Sequence, residues 1–149
     1  MTPDAPQEPQ ARASTVLAAD DLIRVAATVE PTVARRAGIS TSELQALRHL
    51  VGGSCGPVEL SHLLGVTSAA SSGVVDRLVS RGLVRRHRHP DDGRRTRVEV
   101  TESGRREVEA LMRPVVARLA ETDDRFSDAE RVVVRRYLED VAGALRAGV

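Results

Sequence analysis

Residues 76–106 read DRLVSRGLVRRHRHPDDGRRTRVEVTESGRR, and the periodicity changes twice within them. The helical pattern of residues 67–81 stops at Gly82, a residue suited to the position just past a helix C-terminus. Residues 83–89 read as a strand, and Pro90, Asp91, Asp92 and Gly93 form a turn cluster. Residues 96–101 then alternate strictly, with Val98 and Val100 on one face and Arg97 and Glu99 on the other. A helix that feeds directly into an arginine-rich, two-stranded hairpin is the layout of a winged helix.

The same stretch carries the charge. It holds ten arginines (77, 81, 85, 86, 88, 94, 95, 97, 105, 106) against five acids (76, 91, 92, 99, 102), a net +5. Residues 1–75 and 107–149 each come to −2, so the chain total of +1 conceals a localised positive field. Such a field is the electrostatic footprint expected for a phosphate backbone. An ordinary solvated face does not explain arginine on both arms and beside the turn of one hairpin.

Working outward, the helix before the hairpin is predicted to be capped by Thr67 and to bury Val74, Val75 and Leu78. Ala69, Ser72, Gly73, Asp76 and Ser80 fall on the opposite side. Its first turn, residues 68–72, has no large side chain, which suits a helix lying deep in a major groove. Residues 57–64 form a short helix ahead of it, with Leu60, Leu63 and Leu64 turned inward, and Gly65-Val66 make the turn between. Together these are a helix-turn-helix. Ser40-Thr41-Ser42-Glu43 is a capping box for a further helix, with Ile39 and Leu44 at staple spacing and Leu44, Leu47, Leu50 and Val51 as its apolar stripe. Gly52–Gly56 reads as a loop containing Cys55.

The ends of the chain read as helices. Residues 1–13, rich in proline and small residues, are expected to be a disordered arm. A helical pattern follows over about 14–37, with Pro31 expected to kink or split it near Glu30. After the hairpin, Thr101 can cap a helix carrying Val108, Leu111, Met112, Val115, Val116 and Leu119, with Pro114 predicting a bend near Ala110. Ser127-Asp128-Ala129-Glu130 opens a last helix with Val133, Val134, Leu138, Val141 and Leu145. Residues 14–149 therefore read as one mainly α domain with a small β-hairpin. The winged helix-turn-helix covers about 40–101 and is flanked by apolar helices over about 14–37 and 102–147.

These strings resemble the MarR family of transcriptional regulators. The family's wing pattern, D-x-R-x-x-x-x-x-[L/V]-T, is matched by Asp92, Arg94, Val100 and Thr101. LGVT (64–67), VDRL (75–78) and RGLVRR (81–86) stand where such proteins carry similar strings. The resemblance spans about residues 15–147; it departs in the small-residue start of the fourth helix and in Val58, where Ser or Thr often caps the third. It implies a homodimer, built through the flanking helices, that binds a pseudo-palindromic duplex and acts as a repressor released by a small molecule. On that expectation the DNA-facing residues are Ser68, Ala69, Ser72, Gly73 and Arg77 on the fourth helix. In the wing, Arg86, Arg88, Arg95 and Arg97 meet phosphates, while Arg94, oriented by Asp92, enters a minor groove. The resemblance also implies an effector pocket among Leu22, Ala26, Leu44, Leu47, Arg48, His49, Val108, Leu111 and Met112. That set lacks aromatic side chains, so an aliphatic or loosely bound effector, or none, is expected over a tightly held phenolic one.

Other function classes find less support. There is no Gly-rich phosphate loop, nucleophile elbow or paired-carboxylate arrangement, so no enzyme is expected. No cofactor or metal is expected either, since Cys55 is the only cysteine and His87 and His89 belong to the wing. One cysteine also fits a reducing cytoplasm. No run of 18 apolar residues occurs, and MTPDAPQEPQ lacks a secretory h-region. Two alternatives stay open: a winged-helix adaptor binding an acidic protein partner, and a redox-sensing regulator that uses Cys55.

Overall fold

The computed structural model describes residues 8–88 and 96–148, with side chains from residue 14 onward. The elements in order are α1 (Glu8–Ala37), α2 (Thr41–Gly52), α3 (Pro57–Leu63), α4 (Ser68–Ser80), β1 (Val84–Arg88), β2 (Thr96–Val100), α5 (Glu102–Asp123) and α6 (Asp128–Ala147). The chain forms two compact units. One is residues 29–114; the other joins residues 1–28 to 115–149.

The first unit contains the helix-turn-helix and the hairpin. Its core collects Leu47 and Leu50 of α2, Leu60 of α3, Val74, Val75 and Leu78 of α4, and Val84, Val98 and Val100 of the strands. Most of the spacing-based expectations are met, but Leu63 and Val51, expected to face inward, are 51% and 37% exposed, and Ala46, Cys55, Leu83, Ser61 and Ser71 are buried in addition. A smaller cluster joins Ala34, Ile39 and Leu44, with Leu111 against it, so the staple beside α2 is formed. β1 and β2 pair antiparallel, Val84 opposite Val100 and Arg86 opposite Val98. The predicted loop carrying Cys55 does more than connect. Cys55 bridges to Val98, its N–H donating to the Val98 carbonyl at 3.1 Å and its carbonyl accepting from the Val98 N–H at 2.8 Å.

Local signals set the helix ends. Ser40 accepts from the Glu43 N–H at 3.1 Å while the Glu43 carboxylate accepts from the Ser40 N–H at 2.7 Å. Ser127 and Glu130 repeat the same exchange at α6. Thr67 caps α4 through the Ala70 N–H at 3.2 Å, and Gly82, at φ 70°, turns the chain from α4 into β1. Thr101 joins both sides of the hairpin base. Its hydroxyl accepts from the Gly104 N–H at 3.1 Å and donates to the Gly82 carbonyl at 2.7 Å.

Two expectations at α1 are corrected. Its helix begins at Glu8, so residues 8–13 are not a disordered arm; residues 1–7 lie outside the described residues. Pro9 falls in the first turn, where its missing N–H costs nothing, and Ala11, Arg12 and Ala13 favour helix. Nor does Pro31 split α1, which runs on to Ala37. The turn beyond the proline is held by Ala34, buried with Ile39 and Leu44. α5 likewise continues through Pro114 to Asp123.

Glu43 is both a cap residue and a partner for α4, its Oε1 lying 3.3 Å from Arg77 Nε. Burial alone would raise its pKa, but the Ser40 hydrogen bonds and the Arg77 guanidinium outweigh that and hold the carboxyl below its ordinary value. A depressed folded-state pKa contributes stability above the ordinary carboxylate value, and this is lost as pH falls through the folded value. Glu43→Gln keeps an acceptor for the Ser40 N–H but removes the charge and the second oxygen, which faces Arg77. It is expected to cost roughly 1 kcal/mol at neutral pH, because Arg77 stays half in solvent, and nothing in acid. Urea midpoints at the two pH values check this; a difference that did not change with pH would contradict it.

In the second unit α6 buries no residue. Leu17 and Leu22 of α1, Val116 and Leu119 of α5, and Val133 and Leu138 of α6 are all exposed, from 44% to 68%. A cavity of about 590 Å³ is lined by Val132, Val134, Leu138 and Ala142 with Arg131, Arg135 and Arg146 among its polar rim. Tyr137 donates to the Thr15 carbonyl at 3.0 Å, tying α6 to α1. No helix among the described residues is long and apolar enough to cross a membrane.

Candidate nucleic-acid interface

α4 presents a narrow exposed strip because its other side is spent on the core. Ser68, Ala69, Ser72 and Asp76 are exposed and Gly73 is half-covered. None of the first five side chains of α4 exceeds a hydroxymethyl group, so the backbone itself could approach a groove floor. The preceding turn is fixed by the Val66 N–H donating to the Ser61 carbonyl at 3.1 Å.

Most of the arginines beside this strip are tethered. Arg77 is held by Glu43. Arg86 Nη1 donates to Asp76 at 2.7 Å, joining β1 to α4. Arg85 grips Glu99 across the strands at 2.9 and 3.0 Å. That hydrogen bond, followed by the Arg85 charge, holds the Glu99 carboxyl below its ordinary value. Arg97 donates to the Ser54 hydroxyl at 2.9 Å and to the Ser54 carbonyl, so it braces β2 against the α2–α3 loop. Arg88 is exposed and has no ion pair with another described residue. Asp92, Arg94 and Arg95 of the expected wing set, and His89, lie outside the described residues.

These partners are what the sequence reading lacked. It put Asp76 on the exposed side of α4 without a role, and Glu43 only in a cap. Arg97 lies near enough to Cys55 for its charge to act on the thiol. Burial still dominates, helped by the Glu59 charge, and pushes the Cys55 thiol up despite Arg97. A 1% exposed thiol with a raised pKa is poorly disposed to react. Gly104 was also missed. A Cβ there would meet the Leu83 carbonyl oxygen at 2.1 Å, and a glycine three residues into a strong helix pattern was the available signal.

The expected effector residues are divided. Leu44 and Leu47 are fully buried, and Val108 nearly so, within the clusters of the first unit. Leu111 and Met112 are half-buried beside them, and His49 is exposed. Arg48 is bound to Glu30. Leu22 and Ala26 are exposed on the part of α1 that belongs to the other unit. Among the described residues no three His, Cys, Asp or Glu side chains gather as a metal site would require.

Comparison with known proteins places this architecture. Residues 37–95, which run from the end of α1 through the helix-turn-helix into the wing, match the MarR family. A curated relative, the HTH-type transcriptional repressor YetL of Bacillus subtilis, is 28% identical over 85 residues. That match spans 57% of this chain and about half, 51%, of the relative. The structure of a MarR family protein from Bacillus stearothermophilus superposes with a TM-score of 0.72 at 27% identity, covering 90% of this chain and 97% of that one. The YusO protein of Bacillus subtilis shares the fold, with a TM-score of 0.67 at 19% identity over 93% and 99% of the two chains. With the helix-turn-helix, the paired hairpin and Thr101 at its base, the chain is similar over residues 37–95 to the MarR family and shares the fold of its solved members.

Proposed function

We propose that this protein is a cytoplasmic, homodimeric regulator that binds double-stranded DNA at a pseudo-palindromic operator, acting as a repressor. The observation that carries the reading is the small-residue strip of α4, flanked by arginines of the adjoining hairpin. The strip fits a major groove, and Arg88, together with Arg94 and Arg95, supplies charge for phosphates and the minor groove beside it. The apolar side chains left exposed on α1, α5 and α6 are those a second copy would cover, with the cavity on α6 as part of its seat. Two copies would set their α4 helices into successive major grooves, about one helical turn apart.

Release by a small molecule is part of the proposal, with the effector aliphatic or weakly held. Leu44, Leu47 and Val108 already serve as core, which favours small changes of packing over a large pre-formed aromatic slot. A ligand would act only by preferring the conformation whose α4 spacing misfits the operator.

The test is a gel shift and footprint with the DNA upstream of the protein's own gene, combined with sedimentation of the free and bound protein. A protected two-fold site holding two copies is expected, and a two-copy particle in the absence of DNA. A 16.1 kDa species alone at micromolar concentration, or no shift at low salt, would sink the reading and return the adaptor alternative.

A further inference from the structure

A cavity of about 200 Å³ lies between α4 and the base of the hairpin, lined by Pro57, Ser72, Val75, Arg86, Thr96 and Val98. Val75 and Val98 are fully buried and give it apolar walls. Among the described residues its polar lining groups are one guanidinium and two hydroxyls, and none of them is an acid. Ser72 and Thr96 are exposed, and neither hydroxyl bonds another described residue. Such a set of donors over apolar walls suits a tetrahedral oxyanion more than a base edge.

Asp76 reaches this cavity only through Arg86, accepting from Nη1 at 2.7 Å. Asp76 and Ser72 are four residues apart, hence neighbours on the exposed side of α4. The side chains of Arg86 and Asp76 are 39% and 62% exposed, so the pair can exchange partners without disturbing the core. A carboxylate already resting on that guanidinium shows that Arg86 can bind an anion in this place. It also steadies Arg86 over the cavity while the protein is free.

We propose that this notch is the seat of one DNA backbone phosphate, held by Arg86 with Ser72 and Thr96, and that Asp76 is its built-in competitor. The inference rests on the DNA-binding reading above. Phosphate binding breaks the Asp76–Arg86 pair and brings a second negative charge near Asp76, so Asp76 raises the threshold for holding any duplex.

A four-member comparison tests this: wild type, Asp76→Asn, Arg86→Gln and the double variant. Anisotropy of a labelled mixed-sequence duplex is followed across a sodium chloride series with the full chain. Asp76→Asn should tighten binding about two- to five-fold, the range set by an exposed ion pair. Arg86→Gln should weaken it and reduce the salt slope by about one unit. In the Arg86→Gln background the gain from Asp76→Asn should fall to less than half. An equal gain in both backgrounds would mean that Asp76 merely repels DNA at a distance, and the proposal fails. Weaker binding by Asp76→Asn would make Asp76 a base acceptor, and an unchanged slope for Arg86→Gln would leave the notch without a phosphate; either overturns it. Absence of duplex binding by the wild type itself would instead bring down the DNA reading.

Discussion

Gly104→Ala is expected to destabilise the winged unit by about 2 kcal/mol or more, although alanine in a helix normally gains about 1 kcal/mol over glycine. The reversal comes from a backbone contact. The added methyl would lie 2.1 Å from the Leu83 carbonyl oxygen and 2.7 Å from Val100 Cγ2. Neither neighbour is free to yield. The Leu83 carbonyl accepts from the Thr101 N–H at 3.0 Å, its N–H donates to the Leu78 carbonyl at 3.0 Å, and Val100 is buried opposite Val84. Relief requires α5 to lift from the hairpin base, which breaks the Thr101 cap as well. Since a domain's whole stability is of order 5–15 kcal/mol, the loss would be conspicuous, and Gly104→Val should be worse. Denaturant midpoints at a fixed protomer concentration read it out. An alanine variant as stable as wild type would show that α5 does not sit this close to the strand.

That contact also marks the limit of what the sequence discloses. Helix ends were legible because caps are local: Ser40 with Glu43, Ser127 with Glu130 and Thr67 before α4 each act within one turn. The alternation of Val98 and Val100 was legible because a half-buried strand imposes it. The third edge of the small sheet was not, since a bridge through Cys55 alone has no period to detect. The tethers of Arg77 to Glu43 and Arg97 to Ser54 join residues 34 and 43 positions apart, and no spacing rule foretells which acid or carbonyl a long side chain will find. The basic stretch therefore reads as more available to DNA than it is. Part of its charge braces the fold, while Arg88 stays exposed and the partly exposed Arg86 can exchange its partner. The effector residues were the least legible, because their spacing along three helices says nothing of which unit each joins.

Ser72→Glu is expected to abolish operator binding while leaving assembly and fold intact. Ser72 is exposed on α4, four residues before Asp76 and lining the notch with Arg86 and Thr96, so a carboxylate there meets no core residue. In the free protein it would cost little and would find Arg86 within reach as a second partner. Against a duplex it places an unpaired charge where a phosphate must approach, and like-charge juxtaposition at an interface costs several kcal/mol. That corresponds to a loss of at least about a hundredfold at 1.4 kcal/mol per tenfold. Ser72→Gln separates charge from bulk. If charge is the cause, the amide should retain most of the affinity that Glu destroys; if α4 is too deep for any longer side chain, both should fail together. Either pattern keeps α4 at the DNA, and sedimentation of the variants should match the wild type. An unchanged footprint for Ser72→Glu would be incompatible with it, and would move the interface away from the strip formed by Ser68, Ala69, Ser72 and Gly73.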